Sequence, residues 1–112
     1  METRKRIIAV DFDGTIVEDD YPNIGTPNDY IIKKLKDFKK HGDILILWTC
    51  RVGDKLNEAV KWCEQQGLLF DYVNENSQYF IDLYGSDSRK IFADYYIDDK
   101  ASAFTDNPTL II

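Results

Sequence analysis

Arg6-Ile7-Ile8-Ala9-Val10-Asp11-Phe12-Asp13-Gly14-Thr15 decides how the chain is read. Its first half, up to Asp11, is a short apolar run rich in β-branched residues and without helical period, which predicts a strand buried on both faces. The run stops at carboxylates. Asp11 and Asp13 are two apart, so on extended chain their side chains face the same way, and Gly14 lets the backbone turn directly after them. A single Asp-x-Asp at a strand end usually does no more than cap a turn. The reading therefore depends on what the rest of the chain brings to the same place.

Working outward, residues 14–26 hold Gly14, Asp19-Asp20, Pro22-Asn23, Gly25 and Thr26 around the apolar pair Ile16-Val17, which predicts an exposed loop or small hairpin. Thr26 precedes Pro27 at a first helical position, and Ile31, Leu35 and Phe38 then recur at helical spacing until Gly42. Ile44-Leu45-Ile46-Leu47-Trp48 is too short for a helix and predicts a second buried strand, ending in Thr49-Cys50-Arg51. A second helix is expected over about Asp54 to Gln66, with Leu56, Val60 and Cys63 on one face and Gly67 as its stop. Phe70 to Val73 predicts a weaker third strand, and residues 74–88 read as an irregular insert. Tyr95-Tyr96-Ile97, running into Asp98-Asp99, predicts a fourth strand, and Thr109 to Ile112 a fifth. Strands alternating with helices imply a mostly parallel sheet covered on both faces.

The whole chain, residues 1–112, suits one domain, and its formal net charge of −6 disfavours nucleic-acid partners. The lysine-rich stretch Lys33, Lys34, Lys36, Lys39 and Lys40 reads as the solvated face of the first helix. The apolar run Ile44 to Trp48 falls far short of the ~20 residues of a membrane span, and no secretory signal is expected. Cys50 and Cys63 have neither metal-site nor redox spacing, and His41 cannot complete a zinc site with them, so a reducing cytoplasm is the expected compartment.

The expected strand ends are Asp11 to Thr15, Thr49 to Arg51, and Asp98-Asp99. In an open parallel sheet ligands bind beyond the carboxyl ends of the strands, so groups distant in sequence should converge there. Four carboxylates in a small volume require a hard cation among them, or a proton on one. Oxygen ligands without His or Cys select Mg²⁺.

Asp11-Phe12-Asp13-Gly14-Thr15, an apolar strand ending in Thr49, then Lys90, then an apolar strand ending in Asp98-Asp99 resembles the haloacid dehalogenase-like hydrolase superfamily. The resemblance implies a three-layer Rossmann-like α/β sandwich whose mostly parallel five-stranded sheet has the order 5-4-1-2-3. It also implies a Mg²⁺-dependent phosphatase in which Asp11 is the nucleophile, while Asp13 protonates the leaving oxygen and later activates water. On the same basis Mg²⁺ would be held by Asp11, the Asp13 carbonyl and Asp98, with Asp99 reaching it through water. Thr49 would bind the phosphoryl group and Lys90 would neutralise charge. Lys90 lies close before Asp98, and Lys55 and Lys100 also flank the expected site. Arg51 is near enough in sequence to contact substrate.

Neither residues 14–48 nor 50–89 leave room for a cap domain. In the superfamily, capless members act on large substrates or borrow a neighbouring subunit, so a phosphorylated small metabolite or larger molecule and a homo-oligomer are both expected. Tyr79, Phe80, Ile81, Leu83 and Tyr84 could cover the site or form a subunit contact, or could equally be a short helix packed on the sheet. A receiver domain would need its phosphoacceptor at the end of the third strand, where Asp71 stands at the wrong end. A cysteine phosphatase built on Cys50 would need Arg six residues on, where Leu56 stands. The non-enzyme alternative is a phosphate- or partner-binding protein that keeps the fold.

Overall fold

The computed structural model describes residues 4–85 and 91–98. Its elements are β1 (Ile7–Val10), α1 (Asp29–His41), β2 (Ile44–Leu47), α2 (Gly53–Gln65), β3 (Tyr72–Val73), α3 (Gln78–Tyr84) and β4 (Tyr95–Ile97). Every strand pairing is parallel, and the four described strands lie in the order β3-β2-β1-β4. The fifth strand expected at Thr109 to Ile112 lies outside the described residues.

Right-handed crossovers fix where the helices go. The chain steps from β1 to β2 to β3 in one direction, which puts α1 and α2 on the same face, and then returns past β1 to β4, which puts α3 on the other. The core divides accordingly. Ile8, Val10, Leu45, Leu47 and Ile97 pack with Ile31, Leu35 and Phe38 of α1 and with Ala59 and Cys63 of α2. Ile7, Ala9 and Ile46 pack with Phe80 of α3 and with Ile91 and Ala93. β1 is the middle of both clusters, with each of its residues at most 1% exposed, as its apolar run requires.

Helix α1 starts later than Thr26-Pro27 suggests. The Glu18 N–H donates to the Thr26 carbonyl and the Asn28 N–H to the Ile16 carbonyl, each at 2.8 Å, so residues 26–28 are held extended against 16–18. Asn28 is therefore the N-cap, its side chain accepting the Ile31 N–H at 3.3 Å. Gly25 makes this pairing possible, because a β-carbon there would lie 2.0 Å from the Glu18 carbonyl oxygen. The expected irregular insert at 74–88 contains helix α3, seated through Phe80, whose ring stacks on Phe92 at 3.9 Å between centroids. This is the short helix packed on the sheet that is one of the two readings of Tyr79 to Tyr84; its anchor is one aromatic residue and not a periodic stripe, so the pattern alone does not decide for it.

Candidate functional site

In the order β3-β2-β1-β4 the chain moves from β1 to β2 and β3 and then returns to the far side of β1 at β4, so the strand order reverses between β1 and β4, the point at which open parallel sheets bind ligands. Asp11 and Asp98 stand there. Val10 pairs with Ile97 across β1 and β4, and the Asp11 N–H donates to the Ile97 carbonyl at 2.9 Å, so the two aspartates follow on neighbouring strands about 4.8 Å apart. On the other side of β1 the Trp48 N–H donates to the Val10 carbonyl at 2.8 Å, which sets Trp48 and then Thr49 beside the same end. One carboxylate oxygen of Asp11 accepts its neighbour Phe12 N–H at 2.8 Å, which restrains the side chain.

Beyond Asp11 the chain coils on itself. The Phe12 carbonyl accepts the N–H groups of Thr15, Ile16 and Val17, and Gly14 takes φ 85°, a left-handed conformation in which a side chain would be strained. Buried Phe12 pins this turn into the core. Asp13 emerges from it toward Arg51.

That ion pair is the most constrained feature of the site. Arg51 Nε and Nη2 donate to the two oxygens of Asp13 at 2.8 and 2.7 Å, and the guanidinium side chain is only 1% exposed. Its remaining donors reach the carbonyls of Asn23 at 2.9 Å and of Pro22 and Lys55 at 3.4 Å. The rings of Phe12 and Tyr21 lie 5.0 and 5.1 Å from the guanidinium carbon. The hydrogen bonds to Asp13 push the guanidinium pKa further up against the opposing effect of burial. Arg51, expected at the substrate, is instead spent on Asp13 and on three carbonyls. Both Asp13 oxygens accept from Arg51, so the carboxylate is oriented by the guanidinium.

Thr49 lies at the end of β2 as expected. Its N–H donates to the Asn74 side chain at 2.8 Å, and its hydroxyl oxygen accepts the Arg51 N–H at 3.1 Å, leaving the hydroxyl proton able to point outward. Asn74 itself holds φ 52°, a left-handed position that Asn tolerates. Its supporting role was not read from the sequence, although an Asn directly after a strand end is a residue type that favours such a turn. Lys90, Asp99 and Lys100 lie outside the described residues. Lys55 is exposed at its tip, 3.5 Å from Glu58. Tyr79 and Phe80 are drawn toward Arg4, whose guanidinium carbon is 5.9 and 5.3 Å from their ring centroids, so α3 covers the amino half of its face. Cys63 is buried and its thiol is pushed up to about 12 by that burial, while Cys50 is exposed; both are free.

Among the described residues no group of three or more His, Cys, Asp or Glu side chains could by itself hold a metal ion. Asp11 and Asp98 on adjacent strand ends form an all-oxygen donor pair, which is the chemistry a hard cation such as Mg²⁺ takes. The Asp13 carboxylate, engaged by Arg51, is not part of it. No helix among the described residues is long and apolar enough to cross a membrane.

Comparison with known proteins gives one informative relative. A solved structure of a conserved protein coded by a locus of Bacteroides thetaiotaomicron superposes with a TM-score of 0.76 at 42% sequence identity, covering 87% of this chain and 78% of that one. The chain belongs to the family of that Bacteroides protein. Family membership extends over most of both chains, so the α/β architecture with its parallel sheet is shared. No family model and no curated protein matches the chain.

Proposed function

We propose that the protein is a Mg²⁺-dependent phosphohydrolase of the haloacid dehalogenase-like type, hydrolysing a phosphomonoester through an aspartyl-phosphate on Asp11. The observation that carries this reading is the register that sets Asp11 between Asp98 on one neighbouring strand and Thr49 at the end of the other. The finer architecture belongs to the same proposal: a fifth strand beyond β4, completing the order 5-4-1-2-3, and no cap domain. Free Cys50 and Cys63 suit a reducing cytoplasm.

An Asp11 oxygen attacks phosphorus, the new Asp11 O–P bond forms, and the ester P–O bond breaks with its electron pair leaving on the ester oxygen. Asp13, carrying a proton, gives that proton to the departing oxygen. It then takes a proton from the water that attacks phosphorus, which frees Asp11 and inorganic phosphate. Thr49 orients a phosphoryl oxygen through its hydroxyl, and Lys90 neutralises charge. Asp11, Asp98, Asp99 and the Asp13 carbonyl would hold Mg²⁺, which when bound lets an anionic nucleophile approach an anionic phosphoryl group.

The clasp on Asp13 favours one rival, a phosphate- or partner-binding protein in which that side chain is structural. Phosphate release from p-nitrophenyl phosphate and acetyl phosphate separates the two. Turnover that stops with EDTA and returns with Mg²⁺ is expected. Full turnover in excess EDTA removes the metal from the proposal, and no turnover of either compound with Mg²⁺ supports the binding protein.

A further inference from the structure

The face of the sheet that carries α3 is covered unevenly. Phe80 packs on Ile7, Ala9 and Ile46, yet Trp48 and Tyr96, on the same face, remain 37% and 40% exposed. Trp48 follows Ile46 by two residues, and Tyr96 is the direct partner of Ala9 across β1 and β4. Their rings meet edge to face at 5.3 Å between centroids and 62° between planes. The contact runs diagonally across β1, passing Ala9, whose side chain is a single methyl group. Tyr96 is not free to swing away, since its hydroxyl donates to the Ile91 carbonyl and accepts the Ala93 N–H at 3.0 Å. Asp11 comes two residues after Ala9, and Trp48 continues the β1–β2 register beside it. A fixed and partly open aromatic pair therefore adjoins the carboxylate assigned as nucleophile.

We infer that Trp48 and Tyr96 form a platform for the leaving group and select phosphomonoesters that carry a flat aromatic ring close to the ester oxygen. The inference rests on the phosphohydrolase reading and adds its substrate class. Aromatic faces and edges attract rings through their quadrupoles, which saturated rings of the same size lack. The Tyr96 hydroxyl bonds have already immobilised one of the two partners, so less freedom is lost on binding.

Benzyl phosphate and cyclohexylmethyl phosphate test this, because their leaving oxygens are both primary alkoxides and differ in the ring alone. With Mg²⁺, kcat/KM is expected to favour benzyl phosphate by about tenfold, and Trp48→Leu should bring that ratio close to one while Trp48→Phe keeps most of it. A wild-type ratio near one, or a ratio untouched in Trp48→Leu that retains its circular dichroism spectrum, overturns the platform. A nucleoside 5′-monophosphate against ribose 5-phosphate distinguishes a base held on a sugar from a ring joined directly to the ester carbon. If none of these compounds is turned over, the phosphohydrolase reading fails. The platform is then judged by calorimetry alone: tighter binding of benzylphosphonate than of cyclohexylmethylphosphonate sustains it, and equal binding removes it.

Discussion

At the amino edge of the sheet, Asp94 accepts the Ile7 N–H at 2.7 Å and holds Arg4 with both oxygens, and Asp71 accepts the Leu45 N–H at 2.8 Å and holds Lys39. Asp43 is paired with Arg6 in the same region. Each carboxylate there ties one strand or helix end to its neighbour through a cation supplied by another segment. At the carboxyl edge the aspartates are arranged differently. Asp13 is clasped by a buried guanidinium, while Asp11 and Asp98 follow the ends of adjacent strands, where the topology opens a crevice. Counting acidic residues does not separate the two edges. At the amino edge each of these carboxylates is held by a cation from a distant segment; at the carboxyl edge Asp13 is held in the same way, and strand register in addition brings Asp11 and Asp98 side by side.

The comparison breaks most visibly at Asp11. Asp11→Asn is expected to lower kcat by roughly 10³-fold or more with the fold intact, since an amide is not a competent nucleophile. Asp71→Asn at the opposite edge should leave kcat within about threefold and cost about 1 kcal/mol of stability. A folded Asp11→Asn protein with near-normal turnover would erase the distinction. Next in size is the clasp. Arg51→Met should cost about 3–5 kcal/mol in urea unfolding because it strands a largely buried Asp13, whereas Lys39→Met, breaking a pair that is about one-third exposed, should cost under about 1 kcal/mol. Equal costs would mean that burial does not distinguish the edges.

Gly25→Ala should cost about 1–3 kcal/mol, because the new methyl group meets backbone and not a yielding side chain. By shifting the loop it should also weaken the Arg51 contacts to Pro22 and Asn23, read as faster proteolysis near residues 18–25. The smallest effect sharpens the amino edge. Hydrogen bonds from Arg4, then from the Ile7 N–H, hold the Asp94 carboxyl below its ordinary range against the effect of burial. A carboxyl depressed on folding stabilises the protein above its unfolded pKa and loses that contribution as pH falls through the folded one. Asp94→Asn should therefore flatten the loss of stability below about pH 4, by less than about 1 kcal/mol given how exposed Arg4 is. An unchanged acid limb would show that Asp94 does not titrate with unfolding.

The strands β1, β2 and β4 were legible because each is a short apolar run bounded by polar residues, and their ends named Asp11, Thr49 and Asp98 as neighbours before any geometry. The expected first helix began too early because Thr26-Pro27 is a good local start signal that loses to pairing with residues 16–18. Helix α3 was half legible: a short helix packed on the sheet was one of two equal readings of Tyr79 to Tyr84, and a seven-residue helix seated by one phenylalanine has no period to decide between them. The bond between Asp13 and Arg51 joins residues 38 positions apart, and nothing local foretells that the arginine turns away from solvent. Read from neighbouring residues alone, Arg51 looked like a hand held out to substrate.

The reach of that one guanidinium has a consequence for ligand capture. Arg51 gathers the turn at Asp13, the loop at Pro22 and Asn23, and the first turn of α2 at Lys55 around a single planar group. The loop over residues 18–25 has thus surrendered much of its conformational entropy during folding. Encounter with a ligand at the carboxyl edge need not order it again, so association there should carry a small entropic penalty and a rate set by diffusion into an already shaped rim.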